Sequence, residues 1–225
     1  MVTLARSPLA AHLLELVARR VPARRAWLRE VAAAPDVRTL ETAFAEASRR
    51  LGAAPLALDA AERTALSALG VDWSLEAWGI DDATRAAWLR LAADHAAADL
   101  EGFIERRRRS GDARQRAALL RALPLLPDAQ QWLAVALGAR RGDVRAVFEA
   151  LVCDNPYPAT HFHEVHFDDL VLAALEADLP LARMVGLGAR VTERLATAAA
   201  RVAATRRASG RRPPADLWRL VWGVA

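Results

Sequence analysis

A chain of 225 residues that is 54% hydrophobic and 26% charged has the length and make-up of one folded domain with a sizeable core. Its net charge of +4 rests on arginine alone, with no lysine anywhere, which speaks for a GC-rich genome and against nucleic acid as the partner. The lack of an unbroken apolar run of about 18 residues, an N-terminus unlike a secretory leader and a single cysteine, Cys153, argue against a transmembrane segment, secretion and an internal disulfide, so the expected location is cytoplasmic.

Helix signals follow one another along the chain. Ser7 before Pro8 reads as a cap and first helical position, and Leu9, Leu13, Leu16 and Val17 then share one face. Pro22 and Pro35 bracket a second helix carrying Trp27 and Leu28. Asp36 caps a third, in which Val37, Leu40, Phe44, Ala47 and Leu51 keep the helical period until Gly52 and Pro55. Asp59 with Glu62 forms a capping-box pattern, and Gly70 ends that helix. Ser74 starts a short turn carrying Trp78. Asp81 opens a long helix that turns Leu89, Ala92, Ala96, Leu100 and Phe103 inward and runs through Arg106–Arg109 to Ser110-Gly111.

Asp112, Asp128 and Asp143 each begin another helix, with Pro124, Pro127 and Gly142 between them. Pro156 and Pro158 favour extended or turn geometry, and a helix resumes near His163 and continues to Leu175. Pro180 ends it, and Gly186 and Gly188 flank a turn. Thr192 and Glu193 begin a helix to Arg207, Gly210–Pro214 forms a basic linker, and Leu217, Trp218 and Val221 form a last amphipathic turn. No segment alternates like a strand.

The expected fold is therefore all-α: about ten short helices packed as antiparallel hairpins in a single domain, 1–225, with an N-terminal half 1–110 and a C-terminal half 111–225. Three short helices with brief connections between 112 and 153 resemble a HEAT-like α-solenoid. Repeated signature residues are missing, so an irregular helical bundle stands as the alternative.

Chemistry concentrates between Cys153 and Asp169. His161, His163 and His166 lie there with Asp154, Glu164, Asp168 and Asp169, the side-chain types that bind a divalent zinc, iron or manganese ion. His163 and His166 share a helix face, and His161 just before it can fold back, so the three together form a candidate metal site. A solvated helix start rich in carboxylates accounts for the same residues without a metal. Asn155, Tyr157, His161 and Glu164 are candidate ligand-binding residues on a proline-stiffened loop, with a capping Asn155 and a packed Tyr157 as the structural alternative.

Cys153, after Leu151-Val152, reads as a buried helix end rather than a nucleophile. The arginine runs at Arg106–Arg109, Arg114 and Arg116, and at Arg140, Arg141 and Arg145, lack interleaved aromatics and read as solvated faces. Trp27, Trp88 and Trp132 read as core, whereas Trp78 and Trp218 suit a pocket or an interface.

The stretch Asn155-Pro156-Tyr157-Pro158-Ala159-Thr160-His161-Phe162-His163-Glu164 resembles the hallmark of the EboA family. Phe167, Val171, Leu172, Ala174 and Leu175 continue the likeness, as do Pro180-Leu181, Gly186-Leu187, Arg190, Gly210-Arg211, Pro213 and Leu217-Trp218. The family pattern has proline in place of His163 and Asn-Gln in place of Asp168-Asp169, and it does not include His166. The shared polar set is Asn155, Tyr157, His161 and Glu164. The resemblance implies an accessory binding or scaffold protein of a bacterial secondary-metabolite gene cluster, linked to biosynthesis or export of prenylated or indole-derived precursors. Its implied partners are a small-molecule ligand or proteins encoded in the same cluster. The alternative from the residues themselves is a metal-dependent hydrolase or isomerase using His161–Asp169.

Overall fold

The computed structural model describes residues 7–34, 36–140, 144–213 and 215–221, the side chain of Val221 excepted. The expectations placed on Pro35, Arg141, Gly142, Asp143, Pro214 and the Val221 side chain lie outside these residues. Among the described residues there are thirteen α-helices and no strand. The chain divides into two compact units, Met1–Ala129 and Gln130–Ala225.

In the first unit, α1 (Pro8–Arg20), α2 (Arg25–Ala33), α3 (Val37–Leu51), α4 (Ala60–Ser67), α5 (Ile80–Asp94), α6 (Leu100–Ser110) and α7 (Ala113–Ala122) follow in order. The centre is α5, which packs against α1, α2, α3 and α7. Helix α3 shows how sequence becomes structure here. The Asp36 carboxylate accepts from the Thr39 amide at 3.0 Å to start it, Leu40, Phe44, Ala47 and Leu51 are buried along one face, and Gly52 ends it at φ 79°. Phe44 meets Phe103 of α6 edge to face at 5.5 Å. The Asp59–Glu62 capping box closes in both directions, at 2.8 and 3.1 Å.

Several expectations change. Ser7 makes no side-chain cap on α1; its hydroxyl is buried. The long helix from Asp81 is two helices, because the chain turns through Ala96 and Asp99 at φ 45° and 60°, which leaves Ala96 exposed rather than inward. Its N-cap is Gly79, and Asp81 is fully buried. Trp27 is half-buried, its ring edge-on to Trp88 at 5.2 Å and covered by the Arg50 guanidinium at 4.9 Å.

The buried face of α5 contains an ionic network. The Arg85 guanidinium donates to Asp81 at 2.8 Å, to the Phe44 carbonyl at 2.9 Å and to the Ser48 hydroxyl at 2.9 Å. Ser48 and Arg114 also donate to Asp81, at 2.6 and 2.9 Å. Burial acts to raise the Asp81 pKa, but the bonds from Arg114 and Ser48 and the Arg85 charge outweigh it and hold the carboxyl below its usual range. Asp82 goes the other way: burial raises it against the opposing charge of Arg121, which donates at 2.7 Å. Arg114, expected on a solvated face, is thus a structural residue.

The second unit holds α8 (Leu133–Ala139), α9 (Arg145–Val152), α10 (Tyr157–His161), α11 (Glu164–Glu176), α12 (Glu193–Ala208) and α13 (Trp218–Val221). Helix α11 buries Phe167, Leu170, Val171, Ala174 and Leu175 and packs against α9 and α12.

Candidate functional site

The Cys153–Asp169 segment is built differently from its sequence expectation. The prolines do not hold it extended: Pro156 and Pro158 sit at the N-cap and in the first turn of α10, where a missing amide proton is no loss. Asn155, almost fully buried, donates to the Ala150 carbonyl at 2.9 Å and accepts from the Tyr157 amide at 3.0 Å, so it ends α9 and starts α10. Tyr157 is fully buried, and burial pushes its hydroxyl pKa up to about 12. Cys153 is buried at the end of α9, its thiol pushed up to about 11 by burial.

Two residues downstream complete this brace. Arg190 donates to the carbonyls of Pro158 and Ala159, at 3.2 and 2.8 Å, and lies 4.3 Å over the Phe167 ring. Gly186, at φ 74°, is so close to Ala159 that an added Cβ would stand 2.6 Å from the alanine's own. The residues of the hallmark stretch and those near 186–190 therefore serve one tightly fitted junction.

The three histidines have separate surroundings. His161 is half-buried, with its ring 4.5 Å from Tyr157 and Nδ1 3.2 Å from the Gln130 side-chain oxygen; burial lowers its pKa. His163 is the exposed N-cap of α11. His166 Nδ1 lies 2.7 Å from an Arg140 guanidinium nitrogen, so that ring nitrogen accepts and its lone pair is engaged. Glu164 is exposed and pairs with Arg194 at 3.0 Å. Asp168 is paired with the same arginine at 2.7 Å, yet burial raises its pKa against that charge. Among the described residues, no three His, Cys, Asp or Glu side chains are grouped so as to hold a metal ion.

A concave site lies in the first unit, between residues 55 and 76, as a cleft of about 540 Å³. One wall is formed by Pro55, Ala57 and Leu58, and this segment is fastened to the start of α5 by bonds from the Leu56 amide to the Trp78 carbonyl, 2.8 Å, and from the Ile80 amide to the Ala54 carbonyl, 2.9 Å. Arg20, in the last turn of α1, grips this wall. It donates to the Leu56 carbonyl, to the Ala57 carbonyl at 2.9 Å, and to both oxygens of Glu62, at 2.6 and 3.2 Å.

Helix α4 supplies Arg63 and Leu66, and the segment Val71–Glu76 forms another wall. There Ser67 donates to Asp72 at 2.5 Å. The floor is apolar, made by Leu58, Leu66, Val71 and Leu75, with Arg63, Asp72 and Glu76 at the rim. Trp73 lines the cleft half-buried, and its Nε1 is buried with no acceptor among the described residues.

An apolar hollow of this volume beside an indole suits a small, flat ligand held by contact area and a few polar groups. Sequence reasoning overlooked this site. Its signal was the stretch between Gly70 and Gly79, which carries two tryptophans without a helical period. None of Asn155, Tyr157, His161 or Glu164 lines the cleft.

Mostly helical and strandless in its described residues, with a ligand-sized cleft in its first unit, the molecule belongs to the all-α class. The family model of the metabolite traffic protein EboA matches residues 10–222, nearly the whole chain, and the chain belongs to the EboA family. No curated protein and no solved structure matches it.

Proposed function

We propose that the protein is an accessory binding protein of metabolite traffic that takes up a small, flat, apolar metabolite in the cleft between Pro55 and Glu76. The family description supports traffic of a metabolite. The observation that carries the choice of site is the cleft itself, an apolar floor of Leu58, Leu66, Val71 and Leu75 beside the Trp73 ring. The unpartnered Trp73 Nε1 favours a ligand with a hydrogen-bond acceptor, because a buried donor left unpaired is costly. An indole-derived precursor has this flat character, and a prenylated alcohol shares its apolar surface and its acceptor oxygen.

Calorimetric titration of the intact protein with indole-3-carboxaldehyde and with farnesol tests the reading. Binding of at least one of them, weakened about tenfold or more by Trp73→Ala, is the expected result, since the ring supplies much of the contact area. Absence of binding by both, or equal binding by wild type and variant, refutes it.

A second site reading concerns Asn155–Glu164 as a contact for a partner protein or a ligand. What favours it is the exposed edge that the buried junction presents: His163 and Glu164 stand in solvent, and the neighbouring Val165 is 55% exposed, a large apolar side chain outside the core. Substituting Val165→Glu, which touches no core contact, is expected to remove capture of a cluster-encoded partner while leaving thermal stability unchanged; unchanged capture argues against it.

A further inference from the structure

We propose that the C-terminal basic segment of the second unit, residues 201–219, seats the protein on an anionic membrane surface. Exposed Trp218 enters the interfacial layer, and the surrounding arginines meet lipid phosphates.

The segment 201–219 carries six arginines, at 201, 206, 207, 211, 212 and 219, against one acidic residue, Asp216. Arg206 is committed to Asp178, with bonds of 2.6 and 2.9 Å. The other five form no ion pair among the described residues, and Arg201, Arg207, Arg211 and Arg212 are exposed. In this part of the chain most of the positive charge has no paired carboxylate, only Arg206 bonding Asp178 and Arg211 lying within its electrostatic reach.

Beside it stands Trp218, 55% exposed, while the other described tryptophans are buried or half-buried. An amphipathic indole costs little at a water–lipid boundary and gains from burying its ring there. A narrow notch of about 270 Å³ adjoins the ring, lined by Leu181, Met184 and Leu187 with Trp218 and Arg219. These are apolar walls that can take the end of an acyl chain.

Charge complementarity selects the partner. Clustered arginines next to an exposed aromatic also occur in proteins that bind single-stranded nucleic acid, where the ring must offer a free face to a base. Here the Arg219 guanidinium already lies over the Trp218 ring, 4.6 Å from its centroid. With one ring face occupied by its own arginine and an apolar notch beside it, Trp218 fits the interface of an anionic bilayer better than a stacked base. Among the described residues no helix is long and apolar enough to cross a membrane, so this contact lies on the surface.

The experiment is flotation of the intact protein with vesicles of phosphatidylcholine alone and with vesicles rich in phosphatidylglycerol. Binding to the anionic vesicles only, weakening as salt is raised, is expected. Each basic residue near an anionic surface contributes about fivefold to partitioning, so the double variant Arg211→Ala/Arg212→Ala loses roughly thirtyfold. Trp218→Ala loses about tenfold through its buried area, and both variants keep the wild-type melting temperature because the altered side chains are exposed. Failure to float with the anionic vesicles, equal binding to neutral ones, or unchanged flotation of either variant overturns the proposal. Single-stranded DNA that displaces the protein from anionic vesicles at stoichiometric amounts overturns it as well and assigns the patch to nucleic acid.

Discussion

Replacing Arg85 with methionine removes the one fully buried cation among the described residues of the first unit. Arg85 is 1% exposed and its partner Asp81 is fully buried. The substitution keeps an apolar stem, but deletes the guanidinium's contact with the Phe44 ring and its bonds to Asp81, the Phe44 carbonyl and Ser48. Two unit charges about 4 Å apart attract by about 4 kcal/mol at an effective dielectric of 20. Breaking one side of a buried pair costs about 3–5 kcal/mol. Asp81 keeps Arg114 at 2.9 Å and Ser48 at 2.6 Å, which places Arg85→Met near the lower end of that range.

The assay is denaturant unfolding of wild type and variant at neutral pH, followed by circular dichroism. A loss of about 3 kcal/mol is expected, and removing both partners, as Asp81→Leu/Arg85→Met, should recover part of it because no lone buried charge remains. The pH dependence has a definite sign. Asp81 has its folded pKa depressed, so its contribution is present above the ordinary carboxylate value of 3.8 and is lost as the pH falls through the lower folded value. The variant, with one cation fewer beside Asp81, should begin to lose stability at a higher pH than wild type. A loss under about 1 kcal/mol, the size of an exposed pair, would refute the claim that this network supports the fold.

Asn155→Ala leaves the Tyr157 amide and the Ala150 carbonyl without their side-chain partner and should cost about 1–3 kcal/mol in the same assay; an effect below about 0.5 kcal/mol contradicts the junction described for α9 and α10. His161 has its folded pKa held below 6.5 by burial, so it favours folding when neutral, and that contribution fades as pH drops below 6.5. The melting temperature of His161→Gln should therefore fall less than that of wild type on acidification over this window, and identical profiles would count against it. Cys153, buried with a thiol near 11, should react with a thiol reagent at neutral pH roughly a hundredfold or more slower than a free cysteine until the protein is unfolded; a free-cysteine rate in the folded protein rules this out.

Local signals of helix ends were readable because they depend on neighbours three or four residues apart. Asp36, the Asp59–Glu62 pair and Thr192 all cap as their spacing suggests. The break between α5 and α6 was not readable. Ala96 is a good helix former with a left-handed backbone, and nothing in its own chemistry announces that. Asp81 illustrates the same limit: a carboxylate at a helix start ordinarily faces water, and only the tertiary placement of Ser48, Arg85 and Arg114 around it makes burial tolerable.

The candidate sites divide in the same way. The hallmark stretch stood out by composition. What its residues do depends on Gly186 and Arg190, some 30 positions later, which hold the segment from the other side. The cleft at 55–76 is assembled from apolar residues that any core would use, so only their failure to fill space identifies it.

Arg20 has a mechanical consequence for that cleft. One guanidinium cross-links the end of α1 to the Leu56 and Ala57 carbonyls and to the Glu62 carboxylate of α4. A lysine in its place could not span them, because a single ammonium lacks the planar fork that reaches several acceptors at once. The Val71–Glu76 wall has no arginine fastening: it is tied to α4 by the Val71 amide to the Leu66 carbonyl, 3.0 Å, and by Ser67 to Asp72, with a short turn at Ser74. Any widening for a guest is therefore expected at the Val71–Glu76 wall. Amide exchange on loading should slow at 71–76 while the Leu56 amide, bonded to Trp78, registers no change. The hinge of the cleft is thus set by which wall lacks an arginine.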